Sequence, residues 1–154
     1  MLHLDIEPEP DGLLENTQEV IQWYKNWLIP LGTTYLKQEL NLTSEQAEAC
    51  LKTHIRLCYD VCHFAIVYEK PKEVFLQLKT EGIRIGKIQI SAALKADLPQ
   101  ESEQREGLRK ALAQFVESTY LHQVVEKDSS GNLTHYPDLP QALENLNKSK
   151  AYQY

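Results

Sequence analysis

The sequence predicts an α/β fold organised on a parallel sheet, and three observations carry that expectation. Apolar runs at residues 2–6, 55–59 and 83–91 each read as a strand, and helical periods fill the intervals between them. Strand–helix alternation of this kind produces parallel pairing, with right-handed crossovers placing every strand's C-terminal end on one side. Two of those ends carry ligand-type residues, Glu7-Pro-Glu9-Pro10 after the first strand and Asp60-Val-Cys-His63 after the second. Carboxylates and an imidazole released at strand ends sit where α/β folds place ligand and metal chemistry.

The elements follow in order. After the first strand, Asn16-Thr-Gln-Glu19 has the spacing of a capping box, and Val20, Trp23, Tyr24, Trp27, Leu28 and Leu31 recur at helical period. Pro30 and Gly32 are expected to interrupt that helix. Trp23 and Trp27 continue its apolar stripe and read as core rather than as a stacking platform. A second capping box, Thr43-Ser-Glu-Gln46, opens a shorter helix with Ala47, Cys50 and Leu51 inward, which delivers the chain to the strand ending at Asp60. Residues 64–68 are apolar without a clear period. Pro71 suits the first position of a helix through Val74, Phe75 and Leu78 to a Gly82 stop.

In the third strand Lys87 and Gln89 share one face and Ile88 and Ile90 the other, so the polar face suits the floor of a site. A loop over residues 92–100 precedes a helix with Leu108, Ala111, Leu112 and Phe115 inward. Residues 120–126 and 133–136 then flank Asp128-Ser-Ser-Gly131 as a β-hairpin. Pro137-Asp-Leu-Pro140 ends it, and a short helix through Leu143 and Leu146 leads to a polar tail at residues 147–150.

Composition excludes several classes. The 154-residue chain is 42% hydrophobic, enough for one core, and is ordinary for a globular domain or part of one. Sixteen basic residues are dispersed among 22 acidic ones for a net charge of −6, so no nucleic-acid partner is expected. No apolar run approaches the roughly 18 residues of a membrane span, so no membrane insertion is expected. The start lacks a basic n-region and a cleavage-site pattern, and the odd count of three cysteines, Cys50, Cys58 and Cys62, fits free thiols. A cytoplasmic location follows, in which the sequons at Asn41, Asn132 and Asn147 mean little.

Four motifs in order carry a family likeness: Leu4-Asp-Ile-Glu7-Pro-Glu-Pro10 with Leu14-Glu-Asn-Thr17; Tyr59-Asp-Val-Cys-His63; Gly86-Lys-Ile-Gln-Ile-Ser-Ala-Ala-Leu94; and Tyr120-Leu-His-Gln-Val-Val125. From about residue 2 to residue 143 the chain resembles the metabolite traffic protein EboE family, part of the xylose-isomerase-like (β/α)8 TIM barrels, which include sugar-phosphate isomerases and epimerases. The resemblance implies that residues 1–154 are a single domain, the C-terminal portion of a longer barrel of about 250 residues. It also implies handling of a small-molecule metabolite, or, in an alternative reading, metal-dependent isomerase or epimerase chemistry. A third reading is a fragment without autonomous activity. An open half-barrel leaves strand edges and an apolar sheet face uncovered, so a homodimer or the missing barrel half is then the expected partner.

Carried over by position, the resemblance makes Glu7, Asp60 and His63 ligands of a divalent metal, with Gln89 where relatives often have a histidine. An amide oxygen competes poorly for Zn²⁺, so Gln89 favours Mn²⁺ or Mg²⁺, or weakens the site. On the enzyme reading Lys87 and Glu9 are the catalytic residues, Glu9 as the acid that moves a proton and Lys87 as the cation that meets a substrate phosphate or carboxylate. His122 is assigned to substrate binding on the likeness alone. Each residue has a plainer reading beside it. Asp60 and His63 could form a capped turn, Glu7 and Glu9 could be solvated loop acids, Lys87 could pair with Asp5, and His122 could pack at a rim. Cys58 and Cys62 lack a zinc-finger spacing and read as packing residues.

Overall fold

A computed structural model describes residues 2–146 of the chain. The tail at 147–150, the Asn147 sequon and residues 151–154 lie outside them. The described residues form two compact units, 2–92 and 93–146. Among them no helix is long and apolar enough to cross a membrane.

The first unit is mixed α/β around a three-stranded parallel sheet. Strands β1 (Leu4–Ile6), β2 (Ile55–Asp60) and β3 (Ile85–Gln89) lie in the order β1-β2-β3, both pairings parallel. Between β1 and β2 run α1 (Thr17–Trp23), a π-helical segment (Tyr24–Leu28), α2 (Ile29–Leu40) and α3 (Ser44–His54). Between β2 and β3 run α4 (Val61–Ile66) and α5 (Pro71–Thr80).

One face of the sheet and the helices bury the core: Val20, Ile21 and Tyr24, Leu57 and Tyr59, Phe64, Val74, Leu78 and Ile83. The rings of Tyr59 and Phe64 stack 4.4 Å apart, and the Tyr24 hydroxyl donates to the Ile55 carbonyl at 2.7 Å. The start of α1 is anchored from a distance: Thr17 donates its backbone N–H and its hydroxyl to the Glu69 carboxylate, the hydroxyl at 2.6 Å. A negative group there satisfies orphan N–H donors and opposes the helix dipole.

Pro30 and Gly32 do not interrupt the helix, contrary to the expectation from their residue types; helical backbone runs from Thr17 to Leu40. The physical reason lies in the π turn, in which the Ile29 N–H reaches back five residues to the Tyr24 carbonyl. That wider turn immediately precedes a proline that has no N–H to give and crowds the preceding turn. Gly32 serves close packing, since a Cβ there would lie 2.8 Å from both Leu51 methyl carbons of α3. Trp27 departs from the core expectation and is 62% exposed, whereas Trp23 packs against the core. Residues 64–68 hold the end of α4 rather than an aperiodic run, because the Asp60 side chain caps a helix that starts at Val61.

A register shift decides which residues face the polar side of the sheet. Leu57 pairs with Ile85, but Cys58 pairs with Lys87, so Gly86 is an extra residue in β3. Side chains alternate with period two, and a slip of one residue exchanges faces. Were the Leu57–Ile85 register to continue unshifted, Asp60 would face Ile88; because Gly86 bulges out of the ladder, Asp60 pairs with Gln89. The Asp5 side chain of β1 reaches across β2 to this point, and a Cβ on Gly86 would lie only 2.0 Å from Asp5 Oδ1.

The second unit contains α6 (Ser102–Leu112), a 3₁₀ turn (Ala113–Phe115), an antiparallel hairpin of β4 (Val124–Lys127) and β5 (Leu133–Tyr136), and α7 (Leu139–Asn145). Leu98, Ala142 and Leu146 form its core, with Leu108, Val124 and Tyr136 against them. The Asp128 carboxylate accepts the backbone N–H groups of Ser130 and Asn132, both at 2.8 Å, and Gly131 takes a positive φ of 88° to close the loop. The inward line of α6 differs from expectation: Ala111 and Phe115 are exposed, whereas Arg105 is buried. Its guanidinium donates to the carbonyls of Pro99 at 2.6 Å and Leu146 at 2.8 Å, which satisfies a charge the apolar pattern had left out.

The contact at Gly32 generates a prediction. Gly→Ala in a helix interior ordinarily stabilises by about 1 kcal/mol, whereas overpacking costs about 1–3 kcal/mol. Gly32→Ala is expected to lower the urea midpoint; a raised midpoint would disprove the tight α2–α3 approach.

Candidate metal centre

Residues at the C-terminal ends of β1, β2 and β3 converge on Asp60. It ends β2 and its side chain caps α4, accepting the Cys62 N–H at 3.0 Å. The same carboxylate accepts the Cys62 thiol at 3.1 Å, the Ser91 hydroxyl and the Gln89 side-chain amide. Asp60 is only 6% exposed. Burial by itself would raise its pKa, but the bonds from Ser91, Cys62 and Gln89 outweigh that effect and hold the carboxyl at about 2, below the usual carboxylate range. The capped turn that sequence offered as the plainer reading is therefore present, and the site is built on top of it.

Gln89 acts as a clamp between the two acids. Its Nε2 donates to Glu7 Oε1 at 2.8 Å and to Asp60 Oδ2, while its Oε1 accepts from the Lys87 ammonium. Carboxylates only accept and an ammonium only donates, so these partners fix the orientation of the amide. Lys87 is thus engaged with Gln89, and the alternative pairing with Asp5 is not formed; Asp5 accepts instead from His3 at 2.8 Å. Burial and a hydrogen bond to Glu7 push the Cys58 thiol up to about 11, which keeps it an inert packing group.

His63, in the first turn of α4, has Nδ1 at 3.0 Å from the Pro8 carbonyl and 3.6 Å from Glu7 Oε1. A carbonyl can only accept, so Nδ1 carries the proton of the neutral ring and Nε2 keeps the lone pair. Cys62 lies between these groups. Its thiol is raised by burial, with Ser91 opposing and Asp60 reinforcing the shift, so it is protonated in the absence of a metal. One ligand atom each from Asp60, Cys62 and His63 lies within 4.8 Å of the others, and the three can hold a metal ion. An ion there would act as a Lewis acid toward an oxygen of a bound molecule.

The structure therefore brings together Glu7, Asp60, His63, Lys87 and Gln89, and adds Cys62 and Ser91, which sequence reading left out. The one signal for Cys62 was its adjacency to His63 one turn after a strand-end acid. Glu9 is exposed, and its hydrogen bonds among the described residues are those of its backbone with Gly12 and Leu14. His122 belongs to the second unit. There its backbone N–H donates to the Asp138 cap at 3.0 Å, and its buried Nδ1, 4.0 Å from Asp138 Oδ1, has no hydrogen-bond partner among the described residues. No family model, curated protein or solved structure matches this chain.

The depressed Asp60 pKa sets an acid limb. Its ionised form stabilises the fold fully above the ordinary carboxylate value near 4, and that contribution is lost as pH falls through about 2. Asp60→Asn presents an NH₂ group to donors, and such mismatches cost about 1–3 kcal/mol. Urea midpoints between pH 2 and pH 6 are expected to be lower for Asp60→Asn at the upper end and to converge with the unmutated chain toward pH 2. Parallel curves would refute the role given to this carboxylate.

Proposed function

We propose that this chain handles a small metabolite at a divalent-metal site formed by the C-terminal ends of its parallel strands, within the xylose-isomerase-like barrel that the resemblance to the EboE family implies. The observation that carries the reading is the convergence of Glu7, Asp60 and His63 from two strand ends, with Lys87 and Gln89 of β3 beside them. Consecutive parallel pairing of β1, β2 and β3 with helices in each crossover supports the barrel. Glu7 and Asp60 are held by a shared amide before any ligand arrives, so little ordering remains for binding to supply. Lys87 is exposed and cationic at the rim, which suits an anionic group such as a phosphate on the metabolite. Proton-transfer chemistry draws less support, because Glu9 is exposed and engaged only through its backbone.

The test is a thermal melt followed by near-UV circular dichroism with Mn²⁺, Mg²⁺ or Zn²⁺, with and without a panel of sugar phosphates. A ligand that binds only the folded state raises the midpoint, by an amount set by its concentration relative to Kd. Metal is expected to raise the midpoint of the unmutated chain and leave Asp60→Ala/His63→Ala unmoved. A metal-dependent further rise with one sugar phosphate, without a converted product over hours, supports handling. Appearance of an isomer or epimer would favour the enzyme instead.

A further inference from the structure

We infer that Cys62 is itself a metal ligand and that Asp60, Cys62 and His63 form a Zn²⁺ site, an inference that rests on the metal reading above and names its ion. The geometry carries it. Cys62 Sγ lies 3.1 Å from Asp60 Oδ1, and a ring nitrogen of His63 falls within the same 4.8 Å cluster. Zinc–ligand lengths of about 2.0–2.3 Å in tetrahedral geometry set neighbouring ligand atoms roughly 3.5 Å apart, so small side-chain adjustments admit an ion. The three residues occupy four consecutive positions across a strand end and the first turn of α4, so the backbone holds them close before an ion arrives.

The surrounding groups have the arrangement that supports a metal ligand shell. The Pro8 carbonyl takes the Nδ1 proton of His63 and leaves Nε2 with the lone pair, while Ser91 and Gln89 orient the Asp60 carboxylate. Gln89 is part of this support rather than a ligand, because its only oxygen accepts from Lys87. That removes the oxygen donor on which a preference for Mn²⁺ or Mg²⁺ depended. Glu7 accepts from Gln89 and stands outside the three clustered residues, so what remains is one carboxylate, one imidazole and one thiol, a mixed set that favours zinc over the hard cations. On binding, the Cys62 thiol proton passes to solvent and its hydrogen bond to Asp60 is replaced by bonds from both residues to the ion; no oxidant or reductant takes part. Three protein ligands leave a fourth position open for an oxygen of the metabolite.

Co²⁺ reports the ligand set directly, since thiolate coordination adds an intense near-ultraviolet charge-transfer band. The full chain titrated with Co²⁺ is expected to show that band and to lose it when Zn²⁺ displaces the cobalt. Cys62→Ser keeps a donor for Asp60, so its fold is expected to persist. It should lack the band and bind Zn²⁺ about 100-fold more weakly in competition with a chelating dye, while Cys50→Ser retains both properties. Co²⁺ bound by the unmutated chain without a thiolate band, or equal Zn²⁺ affinity in Cys62→Ser, would overturn the role of Cys62 and leave the metal reading standing. Failure of the unmutated chain to bind Zn²⁺, Mn²⁺ or Mg²⁺ would remove both.

Discussion

The first unit depends on a buried carboxylate at the end of its central strand. Asp60 stops β2, starts α4, and through Ser91 and Gln89 ties the end of β3 to both. Through Gln89 the same network reaches Glu7 beyond β1. A buried charge without donors costs more than a small domain can spare, and hydrogen bonds to an ionised acceptor are about twice as strong as neutral ones. Satisfying Asp60 therefore fixes the relative positions of three strand ends. The grouping of ligand-type side chains at those ends follows from the fold's own need to pair that charge.

Much of the architecture was legible because it is written locally. Thr43 and Gln46 form the full reciprocal capping box that their spacing predicts, and Pro71 occupies the start of α5. Asn16 caps α1 through the Glu19 N–H, but the Glu19 side chain accepts from Glu15 instead, so only half of that box is present. The misread places are those where a distant contact outweighs residue type. Gly32 stands in a helix because Leu51 needs the room, and Pro30 is accommodated by the π turn before it. Arg105 turns inward because two carbonyls await it there. The partners of Gly32 and Arg105, Leu51 and Leu146, lie far along the chain, whereas the π turn that admits Pro30 stands directly before it and leaves no mark in the residue types.

The candidate site divides in the same way. Acids and an imidazole at strand ends are visible from the order of apolar runs, so Glu7, Asp60 and His63 could be named without coordinates. Gln89 was placed on the polar face correctly by alternation, but its work as a clamp depends on the partners of both ends of its amide. Cys62 was passed over because zinc patterns are recognised from repeated cysteines. Here the thiol instead joins a carboxylate two residues before it and a histidine beside it. Ser91 lies beyond the last residue of β3 and reaches Asp60 only because of the strand register.

That register gives Gly86 an importance its lack of a side chain conceals. It is the extra residue that lets Ile85 join the core while Lys87 and Gln89 face Asp60 two and four positions later. Loss of the single codon for Gly86 would leave the hydrophobic composition untouched and would still set Asp60 opposite Gln89, but it would remove the bulge and with it the side-chain-free position that the Asp5 carboxylate approaches. One residue inserted between Gly86 and Lys87 would instead present Ile88 to Asp60 and turn Gln89 to the other face, while sparing every existing letter of the sequence.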